Sequence, residues 1–149
     1  MSKILCSVFL IISLASGAAV AGGAESEKLA AVLAAQPEEV QARYARRHPQ
    51  ETLEFFGIAP GMTVLEALPG GGWYSKLILP YLGIDGHMFG ADYSMDMYPL
   101  FGIFSEERLK EQSNWVENFP TRAAGWSGDS GASVTAFSFG EMPGDMKGT

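Results

Sequence analysis

Five residues have the types and spacing of a ligand site. Glu66 precedes the run Gly70-Gly71-Gly72 by four positions, and Asp92 follows Gly70 by 22. A glycine run lets the backbone turn tightly and brings main-chain N–H groups close to a ligand. A carboxylate about 20 residues farther on accepts two hydroxyl hydrogens at once, which is what holding a ribose diol requires. A second carboxylate beside the glycines repels a pyrophosphate in a low-dielectric crevice and favours an ammonium or a sulfonium. Together the five fit an adenosine-type ligand with positive charge near the turn. S-adenosylmethionine carries both cationic groups and no phosphate. Glu66 has a structural alternative, as acceptor for N–H groups of the glycine loop, and the two roles are compatible.

These residues need a strand, a turn and a helix to place them. The apolar run 62–67 predicts a buried strand that ends with Glu66 near its tip. Residues 73–82 predict a helix, because Trp73, Leu77, Ile78 and Leu82 recur on one face. Pro80 is expected to kink or end it. Residues 83–86 form a loop, 87–91 a second short strand, and Asp92 stands at its carboxyl end. That is a β-α-β unit, with a parallel pair and a right-handed crossover. Residues 93–102, rich in aromatics and Met, read as an irregular loop or short helix. Ser105 caps a helix that runs to about Phe119 and ends before Pro120. Residues 125–131 read as a loop and 133–139 as a third strand.

Ahead of the first strand, 25–35 and 37–47 predict two helices. The second has Glu38 and Glu39 in its first turn and Arg46 and Arg47 in its last, matching the helix dipole. His48-Pro49 breaks it, and 50–56 is a third, short helix closed by Gly57. Arg43, Arg46 and Arg47 read first as charge complementarity at a helix end; the alternative is a clamp for an acidic group. His48 reads as a capping or surface residue.

The fold class is α/β: the N-terminal part of a Rossmann-like doubly wound parallel sheet, about three strands, preceded by helices. The first strand would be an open edge. The expectation is therefore that these 149 residues are the N-terminal part of a longer reading frame, or a truncated gene product, without the fourth-strand region.

Composition narrows the function classes. The net charge of -7, with no basic run longer than Arg46-Arg47, gives a nucleic-acid surface no electrostatic support. No CxxC or HExxH pattern suggests a metal. Lys3, the apolar stretch 4–14 and Ala19-Val20-Ala21 have the layout of a secretory signal peptide cleaved after Ala21. Cys6, the single cysteine, lies inside it. The expected address is the periplasm or the exterior, with no membrane anchor after cleavage. The resulting division is a signal peptide over 1–21, a linker and helix over 22–36, and the partial Rossmann-like domain over 37–149.

The segment from Val64 to Gly72, an acid followed by spaced glycines, resembles the first motif of class I S-adenosylmethionine-dependent methyltransferases. More narrowly, His48-Pro49, Glu51-Thr52-Leu53, Phe55-Phe56-Gly57-Ile58, Pro60-Gly61 and Pro69-Gly70-Gly71-Gly72-Trp73-Tyr74 resemble a group of bacterial methyltransferases that carry signal peptides. The likeness extends over about residues 37–143. It implies that Glu66, Gly70 and Gly72 surround the methionine part of S-adenosylmethionine, with Gly71 in the same turn, and that Asp92 holds the ribose. Two departures stand out. Leu68 occupies the usual place of the motif's first glycine. No clear acid follows the third strand where the adenine amine is often bound; Ser138 and Glu141 are the nearest candidates. A dinucleotide-binding oxidoreductase domain is the alternative, since Gly70-x-Gly72-x-x-Ser75 approaches the NAD fingerprint, although Glu66 opposes it. A third reading is an exported protein that keeps the fold without turnover. No residue presents itself as a catalytic base.

Overall fold

The computed structural model describes residues 18–128 and 131–144. Its centre is a parallel three-stranded sheet: β1 (Thr63–Ala67), β2 (His87–Asp92) and β3 (Ser133–Ser138), in the order β1-β2-β3. Thr63 pairs with His87 and Ala67 with Ala91; on the other side His87 pairs with Ser133 and Asp92 with Ser138. Parallel neighbours require long crossovers. Here these are helical: α5 (Ser75–Leu82) between β1 and β2, then α6 (Glu106–Ser113) and α7 (Trp115–Ser127) between β2 and β3. This is a partial Rossmann-like α/β fold with helices on both sides of the sheet.

Strand alternation decides which side chains meet the helices. Val64, Met88 and Ala136 share a core with Leu77, Ile78 and Leu79 of α5 and with Phe119 and Ala123 of α7. Gly90 is part of the fit, since a Cβ there would come within 2.6 Å of the Phe119 ring. Each fully buried Leu or Phe contributes about 1.5–3 kcal/mol. Leu29 and Leu33 of α1 (Ala18–Ala34) extend this core. The opposite face carries Leu65, half exposed, and Phe89, whose ring is 6.3 Å from that of Phe137.

Beyond the edge strand β1 stand three short helices, α2 (Glu38–Gln41), α3 (Tyr44–Arg47) and α4 (Pro49–Phe55). The single helix expected over 37–47 is thus two, separated at Ala42 and Arg43, where the Arg43 N–H bonds to Val40 one residue short of the helical partner. Burial drives the break: Val40 is buried, and the Tyr44 hydroxyl donates to the Leu33 carbonyl at 2.8 Å. His48, in the left-handed region (φ 43), ends α3 ahead of Pro49, as the His48-Pro49 pair predicts.

Three other expectations are corrected. The linker assigned to residues 22–24 is helical and belongs to α1. Pro120 does not stop a helix. The break comes earlier, at Asn114, and α7 runs through Pro120 to Ser127, taking in the start of the loop expected over 125–131. Trp115, Phe119 and Ala123 are buried at four-residue intervals, and that stripe holds the helix together across the proline. Pro80 lies within α5, which ends two residues later at Leu82, the limit expected from the sequence. Residues 1–17, which carry most of the expected signal peptide, lie outside the described residues. No helix among the described residues is long and apolar enough to cross a membrane.

Candidate functional site

Glu66 is the fourth residue of β1 and lies on the helix-facing side with Val64. Its Oε2 accepts a 2.6 Å hydrogen bond from the hydroxyl of Ser75, the first residue of α5. Ser75 is completely buried, so this bond satisfies a hydroxyl that has no water. Burial pushes the Glu66 carboxyl above its ordinary range, and the Ser75 bond pulls it partly back. Among the described residues Oε1 accepts no hydrogen bond. One carboxylate oxygen therefore fixes the strand to the helix, and the other is free.

Between these two residues the chain turns through Leu68, Pro69 and the three glycines. The Leu68 N–H bonds to the Ala91 carbonyl at 2.7 Å, which carries the ladder one step past the strand. Leu68 itself has φ 56, in the left-handed region. The first-glycine position of the motif is thus a glycine conformation occupied by leucine, which costs about 1–2 kcal/mol. Gly70 and Gly72 also have positive φ.

The glycines serve different purposes. A Cβ on Gly71 would meet nothing within 4 Å, and one on Gly70 only the Leu68 carbonyl at 4.0 Å. A Cβ on Gly72 would lie 2.1 Å from the Trp126 ring. Gly72 is therefore covered by α7, whereas Gly70 and Gly71 remain open. Arg122, one turn before Trp126, donates from Nη2 to the Gly70 carbonyl at 3.1 Å. Two α7 side chains hold the turn from behind.

In front of the turn lies a groove of about 960 Å³ running along the β1 edge. Glu66, Leu68, Gly70 and Gly71 line it from β1 and the turn, Arg43, Arg47 and Phe56 line it from the segment 38–56 that holds the short helices, and Trp73, Tyr74 and Lys76 are among the remaining lining residues. The groove thus gathers three bases and two acids, Glu39 and Glu66, in a chain of net charge -7. Arg47 lies 4.8 Å from the centre of the Trp73 ring, a cation–π contact that holds its guanidinium in place. The basic trio, read first as a solvated helix end, is divided: Arg43 and Arg47 line the groove and Arg46 does not.

Asp92 ends β2 as expected but does not line that groove. It is only 7% exposed, and both its oxygens are engaged. Oδ1 accepts from the Tyr98 hydroxyl at 2.6 Å and from the Tyr93 N–H at 2.7 Å; Oδ2 accepts from Gln112 Nε2 at 3.2 Å. Burial first, then the Asp92 carboxylate, push the Tyr98 phenol far above its ordinary range, so it stays a donor. Tyr98 begins a 3-10 helix, Tyr98–Phe101, and Gln112 lies on α6. Neither stands out in the sequence; an aromatic six residues past the acid, in a Met-rich loop, was the available signal.

The site thus brings together Glu66, Gly70 and Gly71, keeps Gly72 as a packing position, and sets Asp92 apart under its own loop. Ser138 and Glu141 hydrogen-bond each other at 3.1 Å beyond β3. Among the described residues no group of three His, Cys, Asp or Glu side chains could hold a metal ion. Compared with protein-family models, with curated proteins and with solved structures, the chain matches none.

Proposed function

We propose that this protein binds S-adenosylmethionine at the Glu66–glycine turn and belongs with the class I methyltransferases. The observation that carries the reading is the free oxygen of Glu66 on a groove whose backbone is open at Gly70 and Gly71. A half-buried carboxylate there favours the ligand's ammonium and sulfonium, and disfavours a pyrophosphate. Arg43, Arg47 and Lys76 on the same groove offer partners for the amino-acid carboxylate. Leu68, Trp73 and Tyr74 supply apolar and aromatic lining. These residues suit the cofactor's methionine part; the reading gives Asp92 the ribose, although it lies outside the groove and has its oxygens occupied.

When bound, S-adenosylmethionine supplies an electrophilic methyl on a sulfonium. The chain's part is to orient that group and exclude water from it, which is where most of the rate gain of such transfers arises. The reading includes export, on the strength of the apolar stretch 4–14 and Ala19-Val20-Ala21. N-terminal sequencing of exported material checks that part, with Gly22 as the expected first residue.

Titration calorimetry tests the function. The expected result is saturable binding of S-adenosylmethionine, lost in Asp92→Ala. Binding of NAD without binding of S-adenosylmethionine would sink it. A second reading, a non-catalytic exported protein that keeps the fold, is favoured by the engagement of both Asp92 oxygens; it predicts binding of neither compound.

A further inference from the structure

A ribose diol presents two hydroxyl donors to a carboxylate, one on each oxygen. Asp92 already receives that pattern from its own chain: the Tyr98 hydroxyl at 2.6 Å on Oδ1 and Gln112 Nε2 at 3.2 Å on Oδ2. The two donors are themselves linked, because Gln112 Nε2 also donates to the Tyr98 oxygen at 2.5 Å. We infer that Tyr98 and Gln112 occupy the position of a ligand's vicinal diol, and that the segment Tyr98–Phe101 is a plug displaced when a nucleoside binds. This rests on the proposed reading of Asp92 as the ribose carboxylate.

The segment is short, and its displacement would break the packing of Tyr98 and Phe101 against Tyr93 and Phe104. It is one turn of 3-10 helix, closed by Leu100 N–H to Met97 at 3.1 Å and Gly102 N–H to Pro99 at 3.2 Å. Gly102, at φ 66, gives the backbone a hinge at its far end. Its outward side is bare: Leu100 is 76% exposed. Inward, Tyr98 alone of the four is buried, edge-on to Phe104 at 5.3 Å. Asp92 cannot be left unpaired in so buried a place, so a loop that supplies donors until a ligand does is a consistent solution. It also explains a ligand acid that is almost inaccessible. A competing internal contact lowers apparent affinity by the fraction of molecules in which it is closed.

The experiment uses S-adenosylhomocysteine, which has the same diol and is not turned over, with the full chain and Tyr98→Phe. Loss of a charge-assisted competing bond is expected to tighten binding by about tenfold in Tyr98→Phe. On saturation of the wild-type protein, the Leu100 and Gly102 amides, whose bonds close the turn, are expected to exchange with solvent at least about tenfold faster. Equal or weaker binding by a folded Tyr98→Phe, or unchanged exchange in the saturated wild type, overturns the plug while leaving the methyltransferase reading intact. If Tyr98→Phe does not fold, wild-type exchange alone decides. Absence of binding by either protein overturns the reading of the site, and the plug with it.

Discussion

The indole ring of Trp126 lies across Gly72, in the space where any other residue would carry its Cβ. The overlap is severe, 2.1 Å to the nearest ring atom, and Gly72 also has φ 75. Gly72→Ala is therefore expected to cost about 2–4 kcal/mol, through overpacking and left-handed strain together. Gly71→Ala, one residue away, meets nothing and has no such strain. It is expected to stay within about 0.5 kcal/mol of wild type while weakening ligand binding, because its methyl enters the groove. Urea denaturation and titration calorimetry on the two variants separate the packing glycine from the one that lines the groove.

That pair illustrates what the sequence carried and what it did not. The glycine run, the apolar strands and the acids near the ends of β1 and β2 are local signals, and all three strands and α5 lie close to where those signals put them. Which glycine is open to the groove is not local. It depends on Trp126 in a helix that the Pro120 rule had already ended, although the stripe Trp115, Phe119, Ala123 was there to be read. Asp92 shows the same division. Its position at the end of β2 follows from strand length and turn chemistry, but its partners Tyr98 and Gln112 come from the crossover, where no periodicity marks a hydrogen-bonding role. Arg43 and Arg47 have ordinary helix-end chemistry in sequence, and only the bend at Ala42 and the packing of Tyr44 turn them toward β1.

Glu66 gives the site a pH dependence of definite sign. Its folded-state carboxyl titrates above the ordinary 4.5, first because of burial, with the Ser75 bond opposing. The folded protein then holds that proton more tightly than the unfolded chain. The contribution to stability is complete below 4.5 and is lost as pH rises through the raised value. Glu66→Gln, which retains an acceptor for Ser75 but cannot ionise, is expected to remove this component. The difference in melting temperature between variant and wild type should therefore move in the variant's favour across that interval. Affinity for a cationic ligand runs the other way, rising in the wild type as Glu66 ionises and staying flat in the variant. Thermal melts and calorimetry at matched pH check both slopes.

Phe119 is the keystone between the sheet and α7. It is fully buried, stacks on Trp115 at 4.8 Å, and fills the gap that Gly90 leaves in β2. Phe119→Ala is expected to cost about 3–5 kcal/mol. Gly90→Ala should also destabilise, by about 1–3 kcal/mol of overpacking. Because the two residues share one volume, the double variant is expected to be more stable than the sum of the single losses predicts. A double-mutant cycle by urea denaturation measures that coupling, and simple additivity would mean that the ring and the glycine are not in contact.

Leu68 is where the chain departs most from the glycine-turn pattern, and its backbone shows what the departure costs. At φ 56 a leucine pays the left-handed penalty that a glycine avoids, about 1–2 kcal/mol. Leu68→Gly recovers that term and loses about 0.5–1 kcal/mol to the greater freedom of the unfolded chain. The side chain is 44% exposed, so little packing goes with it. Leu68→Gly is therefore expected to lie within about 1 kcal/mol of wild type, where removing a core leucine would cost several times more. Leu68→Val, β-branched at a positive φ, is expected to be the least stable of the three. Denaturation midpoints in the order Val above Leu above Gly would mean that residue 68 leaves the left-handed region in solution, and that the turn is not the rigid cradle its hydrogen bond to Ala91 implies.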